Sequence, residues 1–274
     1  MSQPDPIHLF ARMMDRDDDQ IGLAEAALVI ARTEYPKLDT ASELERLDRL
    51  AAQVEINPAD PPLAHVQALN HLLFEKEKFE GNEEEYDDPE NSFLNRVLDR
   101  KKGIPITLSL VYTEVAWRKN LPIVGVGFPG HFLVKYLTAS AEILVDPFRR
   151  GAILGTEDCQ ALLEGHFGKD TQLIPDHLRA STPKQVLARM LNNLKGSYFR
   201  RRNFPKVLLM IEFSLSIDPG SSQDIRDRGM VHLAMRHYRE AMADLNAYLK
   251  LSPQGDPQAR EVLQALSGIR ALMN

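Results

Sequence analysis

Between Pro122 and Phe148 the chain leaves the helical spacing that rules the rest of it. Three short runs, IVGVGF (123–128), HFLVKYL (131–137) and EILVDPF (142–148), are rich in β-branched and aromatic residues and are separated by PG and TASA. Runs of this length bounded by turn residues read as neighbouring antiparallel strands. Long helical stretches flank them on both sides, so the fold class is α+β, with one small sheet set among helices.

Upstream, apolar residues recur at helical spacing in three groups: Ile21, Ala24, Ala27, Leu28 and Ala31; Leu44, Leu47, Ala51 and Val54; Val66, Leu69 and Leu73. Three amphipathic helices are expected, broken at EYPKLDT and NPADPP, where proline stops one helix and Asp or Thr caps the next. The acidic run FEGNEEEYDDPEN (79–91) lacks the alternating oxygen ligands of a calcium loop and reads as a solvated connection. A buried helix follows, with Leu108, Val111, Tyr112 and Val115 as its stripe; it is expected to start close to Pro105, because a first-turn N–H needs no partner. Asn91 and Asn95 of NSFLN precede it, Asn91 as a candidate N-cap or, like Asn95, as an amide lining a cleft. After the strands, TEDCQALLEGHF suggests a further helix capped by Thr156.

The C-terminal part carries an internal repeat. Laying SIDPGS over KLSPQG sets Pro219 on Pro253, a period of 34 residues, the tetratricopeptide length. The second copy has small residues at Gly229 and Ala241 and larger ones at Ile225, Leu245 and Tyr248. The first offers Leu191, Leu194, Tyr198, Val207 and Ile211, with Lys195 where the pattern prefers glycine. Two helix hairpins are expected, either leaving a concave side for a partner or simply capping the preceding domain. Arg200, Arg201 and Arg202 fall at the turn of the first hairpin, as a basic rim for an acidic partner or as solvated charge.

A net charge of -6 gives no general attraction to phosphate backbones or anionic lipid, so neither nucleic acid nor membrane is an expected partner. The N-terminal residues show no basic segment followed by an apolar one, and no window reaches about 18 apolar residues, so a cytoplasmic protein is expected. The one cysteine, Cys159, excludes an intrachain disulfide and a cysteine-based zinc site. His8, His65, His71 and His166 stand at no metal-ligand spacing, and neither metal nor cofactor is assigned.

A helix start followed by a histidine at the head of one strand and an aspartate at the end of the next is the order that nucleophile–His–Asp acyl transfer uses. The helix dipole favours an anionic nucleophile, the imidazole takes its proton, and the carboxylate fixes the tautomer. His131 and Asp146 suit the last two roles. Cys159 follows all three strands and reads as a packing residue. The nearest hydroxyls to the helix start are Thr107 and Ser109, as nucleophile or cleft-lining groups, although hydroxyls in a first turn more often cap.

The segment NSFLNRVLDRKKGIPITLSLVYTEVAWRKNLPIVGVGFPGHFLVKY, with ILVDPFRRG, EYPKLD, FEGN and the C-terminal repeats, resembles the bacterial SirB-type family, which joins a transglutaminase-like domain to a short tetratricopeptide tail. The resemblance implies a helical N-terminal part plus a transglutaminase-like domain, related to the papain-like cysteine hydrolases, together in residues 1–182, and an interaction module of helical repeats in 183–274. It also puts His131 and Asp146-Pro147 in the superfamily's histidine and aspartate register, and Gly103-Ile104-Pro105 in the register of its Gly-x-Cys helix start. The cysteine position therefore holds proline. Two functions follow as expectations: a non-catalytic adaptor or regulator that binds another protein, or an amidase, peptidase or acyltransferase working through Thr107 or Ser109 with His131 and Asp146.

Overall fold

The computed structural model describes residues 4–273 apart from Ser140 and Gln254. The chain divides into two compact units, one running to Met190 and one from Leu191.

The first unit opens with α1 (Pro6–Met14), to which the apolar pattern assigns no element; its buried Phe10, Met13 and Met14 lie at i, i+3 and i+4. The three expected helices follow as α2 (Leu23–Ala31), α3 (Thr40–Ala52) and α4 (Pro62–Asn70), the last continuing through a wider π turn over His71–Lys76. Asp39 caps α3 by accepting from the amides of Ala41 and Ser42. Next come β1 (Glu80–Gly81), α5 (Leu94–Arg100), β2 (Lys102–Gly103) and α6 (Pro105–Arg118). The two-residue strands pair in parallel, Glu80 with Lys102 and Gly81 with Gly103, and so tie the FEGN segment to the residues that enter α6.

Every residue of α6 from Pro105 to Ala116 is buried. The helix packs against α2, α3, α4, α5 and the sheet, so no face is left for solvent. Its polar side chains must therefore find partners inside the protein. Glu114 does so by accepting the Ala24 amide at 2.9 Å. Helix α2 begins at Gly22, which has no side chain to cap it, and the Glu114 carboxylate supplies the missing acceptor from 90 residues away. The other carboxylate oxygen holds Arg118, which also pairs with Asp48 on α3.

The sheet has the order β3 (Ile123–Val126), β4 (Leu133–Leu137), β5 (Glu142–Asp146), β6 (Ala152–Leu154), all antiparallel. Its fourth strand, only three residues long, is too short to stand out as a run. A 3-10 turn (Pro147–Arg149) links β5 to β6, and α7 (Thr156–Phe167) follows. Thr156 is the first helical residue of α7 rather than its cap. Gly155 takes the cap position, its amide bonded to Asp158 at 2.8 Å.

Helix α8 (Pro183–Arg200) begins in the first unit and ends in the second, which continues with α9 (Phe204–Ile217), α10 (Ser222–Ala234), α11 (Tyr238–Leu251) and α12 (Pro257–Met273). Ile225, Ala241, Leu245 and Tyr248 share one core cluster with Val262, Leu266 and Ile269 of α12. A Cβ on Gly229 would lie 2.9 Å from the Leu245 side chain, which accounts for the small residue there. Lys195, where the pattern prefers glycine, reaches Asp224 at 2.8 Å and Asp227 at 2.9 Å with its ammonium. Among the described residues no helix is long and apolar enough to cross a membrane.

The cross-helix cap gives a stability test. Glu114→Leu strands the buried Ala24 amide and half-frees Arg118, and should cost about 3 kcal/mol in urea unfolding. A loss below about 1 kcal/mol would show that the carboxylate does not hold α2 to α6.

Candidate functional site

The turn Phe128-Pro129-Gly130-His131 sets the geometry. The His131 amide bonds the Phe128 carbonyl at 3.0 Å, and Gly130 takes φ +71°, as the third position of a type II turn after proline demands. A Cβ on Gly130 would also lie 2.7 Å from the His166 ring. The chain reverses here, and His131 sits two residues ahead of β4 rather than on it. Asp146 is the last residue of β5 and is fully buried. Its Oδ2 receives His131 Nε2 at 2.9 Å. Its Oδ1 accepts the Phe148 and Arg149 amides at 3.0 and 3.3 Å, and Arg149 Nε stands 3.8 Å from Oδ2.

A carboxylate only accepts, so the His131–Asp146 bond puts the ring proton on Nε2 and leaves the Nδ1 lone pair as the basic atom. One nitrogen is held by the carboxylate and the other is free to take a proton, the division of roles an acyl-transfer base needs, with the two nitrogens exchanged relative to a triad whose aspartate holds Nδ1. Two rings pack on the imidazole, Phe148 edge-on at 5.9 Å and His166 stacked at 6.4 Å, and Tyr86 backs Phe148 at 6.1 Å. Phe148 in turn presses on backbone, for a Cβ on Gly81 would come within 2.6 Å of its ring. The glycine of FEGN thus makes room for the ring that walls the histidine. None of these neighbours was anticipated; the only sequence signals for them are the glycines, and a glycine does not name the side chain that approaches it.

Helix α6 begins at Pro105 and packs on β4 and on the 3-10 turn after Asp146. Thr107 lies in the first turn, at the third helical position. Its hydroxyl accepts the Ile104 amide at 3.1 Å and gives its proton to the Asn91 carbonyl at 2.6 Å. Ser109 is also buried, with its hydroxyl 3.5 Å from the Phe132 carbonyl. Among the described residues neither hydroxyl is hydrogen-bonded to His131. Asn91 is not a helix cap: Phe93 precedes α5, and the Asn91 amide instead donates to the carbonyls of Glu85 and Tyr86 and accepts from Asn82. It therefore braces the acidic loop against α6. Asn95 lies buried within α5, and among the described residues its Oδ1 has no hydrogen-bond partner.

Cys159 packs with Val126, Phe128, Leu133, Leu162 and Leu163. Burial pushes its thiol pKa up, and the nearby charges of Asp158 and Asp146 push it further, so the nucleophilic thiolate is disfavoured. Among the described residues no group of three or more His, Cys, Asp or Glu side chains is placed to hold a metal ion.

The helical unit has a cleft of its own, about 670 Å³, lined among others by Phe199, Phe204, Met230 and Arg200. Phe199 is 56% exposed beside it. Arg201 and Arg202 lie in the turn that follows α8.

For the thiol, the expected result is protection. A thiol reagent at mildly alkaline pH should modify Cys159 at least about a hundredfold more slowly in the folded chain than in urea; equal rates would contradict its place in the core.

The comparisons with known proteins follow the same division. Residues 41–192 match the transglutaminase-like superfamily, and residues 194–267 match the tetratricopeptide repeat. A UPF0162 protein of Xylella fastidiosa is 34% identical over 247 residues, 86% of each chain. A UPF0162 protein of Vibrio cholerae is 31% identical over 252 residues, 90% of this chain and 92% of the relative. Protein SirB1 of Salmonella typhimurium is 26% identical over 227 residues, 82% of this chain and 83% of the relative. No solved structure matches the chain. By its core, its repeats and its relatives, the chain belongs to the SirB-type family of transglutaminase-like proteins with a tetratricopeptide tail.

Proposed function

We propose that this chain is a non-catalytic transglutaminase-like protein that works in the cytoplasm as an adaptor or regulator. In this reading residues 1–182 form the transglutaminase-like part, which keeps its cleft as a binding pocket, and residues 183–274 hold a partner protein. One observation carries it: His131 and Asp146 are joined at 2.9 Å with one ring nitrogen free to take a proton, while the helix start in the nucleophile's register is Pro105. A proline side chain has no atom to attack a carbonyl. The Thr107 proton is committed to the Asn91 carbonyl, and a hydroxyl without a base beside it is a poor nucleophile. The cleft of the helical unit, with exposed Phe199 on its wall, supports protein binding, since aromatic side chains are the usual anchors of such contacts.

The retained His131–Asp146 pair favours a second reading, an amidase, peptidase or acyltransferase using Thr107 or Ser109. A partner experiment separates the two. A photocrosslinker placed at Phe199 of the full chain identifies the bound protein, whose affinity is then measured for variants. Phe199→Ala with Met230→Ala should weaken binding about tenfold or more, and His131→Ala should leave it within about twofold. Binding lost with His131→Ala and kept with the Phe199 and Met230 substitutions would overturn the adaptor reading.

A further inference from the structure

The first unit holds a cavity of about 200 Å³ between α6 and the sheet, separate from the His131 ring. Its lining is mostly apolar, with Leu110, Val124, Phe132 and Val186 among the walls, and Ser109, Thr113 and Ser181 contribute hydroxyls. Trp117, 40% exposed, stands on one wall and is the only tryptophan in the chain.

Arg189 lies beside two of the lining residues. Its guanidinium carbon is 5.8 Å from the centre of the Phe132 ring. One of its terminal nitrogens lies 3.9 Å from the point where a Cβ would stand on Gly127, and the Ser181 hydroxyl lies 3.0 Å from that same point. The side chain is half-buried, yet among the described residues it has neither an ion pair with a carboxylate nor a hydrogen bond to protein, and Tyr86 is the one group with an electrostatic effect on it. Burial accordingly holds its pKa below the ordinary arginine value. The other half-buried arginines of this unit behave differently: Arg46, Arg96, Arg100 and Arg118 each meet carboxylates. A guanidinium taken partly out of water without a counterion is costly, and its planar fork matches a carboxylate with two parallel hydrogen bonds.

We infer that the cavity and Arg189 together form a site for a small apolar molecule ending in a carboxylate, its chain in the cavity and its charge on Arg189. Size narrows the class. A cavity of roughly 150 Å³ takes up a six-carbon ring, so this one suits a monocarboxylic acid of about eight non-hydrogen atoms. The site is independent of catalysis or its absence at His131, because it uses neither that ring nor Asp146.

Trp117 makes the test direct. Hexanoate is titrated into the full chain with tryptophan fluorescence as the readout, alongside acetate and hexanol. Hexanoate should give a saturable change and bind at least about tenfold tighter than either control, because acetate lacks the chain and hexanol the charge. Arg189→Gln, at a partly exposed position, should keep the circular dichroism of the parent and weaken hexanoate about tenfold while leaving hexanol unchanged. Val186→Phe, which fills the cavity and leaves Arg189 in place, should abolish the hexanoate response. The inference is overturned if hexanoate gives no saturable change at millimolar concentration, if acetate binds as well as hexanoate, or if Arg189→Gln binds hexanoate like the parent.

Discussion

A helix with no face to solvent has to satisfy every polar group it carries, and α6 is such a helix from Pro105 to Ala116. Several of its polar side chains are answered by different parts of the first unit. Glu114 caps α2, Thr107 bonds the Asn91 carbonyl, and Ser109 faces the carbonyl of Phe132. The partners come from segments far apart in sequence, so satisfying them specifies the packing as well as stabilising it. The N-terminal helices, the acidic loop and the sheet are all registered against one helix.

In the proposed reading, that arrangement lets the site keep two members of a triad without the third. His131 is placed by a proline–glycine turn and Asp146 by the end of a strand, with its carboxylate fixed by two amides of the next turn. Neither depends on what side chain starts α6. A proline at the first helical position costs the helix nothing, because that amide has no intrahelical acceptor, and its φ suits the helix. Replacing a nucleophile with proline therefore removes chemistry from the cleft while leaving the helix start, and the packing built on it, intact.

Much of this is legible in the sequence. The start of α6 at Pro105, the antiparallel strands and the pairing of His131 with Asp146 all follow from local signals: a proline, alternating apolar runs, and a histidine and an aspartate at the ends of adjacent strands. The 34-residue repeat points to the buried set Ile225, Ala241, Leu245 and Tyr248. What escapes is long-range. Asn91 has the residue type of a cap, but its amide is spent on Glu85 and Tyr86, a choice made by tertiary packing. His166 and Arg189 lie in segments with no motif of their own, and Phe148 follows the Asp146-Pro147 motif without any signal of what it packs on; all three come beside the His131 turn or the cavity walls only when the chain is folded. Thr156 misses the cap position by one residue, the usual margin for a helix end read from composition.

The account rests on Pro105 standing where the nucleophile of a complete triad would stand. Putting the thiol back tests this directly. In a Pro105→Cys, Cys159→Ala chain the thiolate absorbance is titrated with pH, with and without His131→Ala. The introduced thiol should ionise well below the ordinary value of about 8.5, and the His131→Ala substitution should return it toward that value. A thiol that titrates normally in both backgrounds would show that His131 and Asp146 do not face the start of α6, and would remove the basis for reading them as two thirds of a triad.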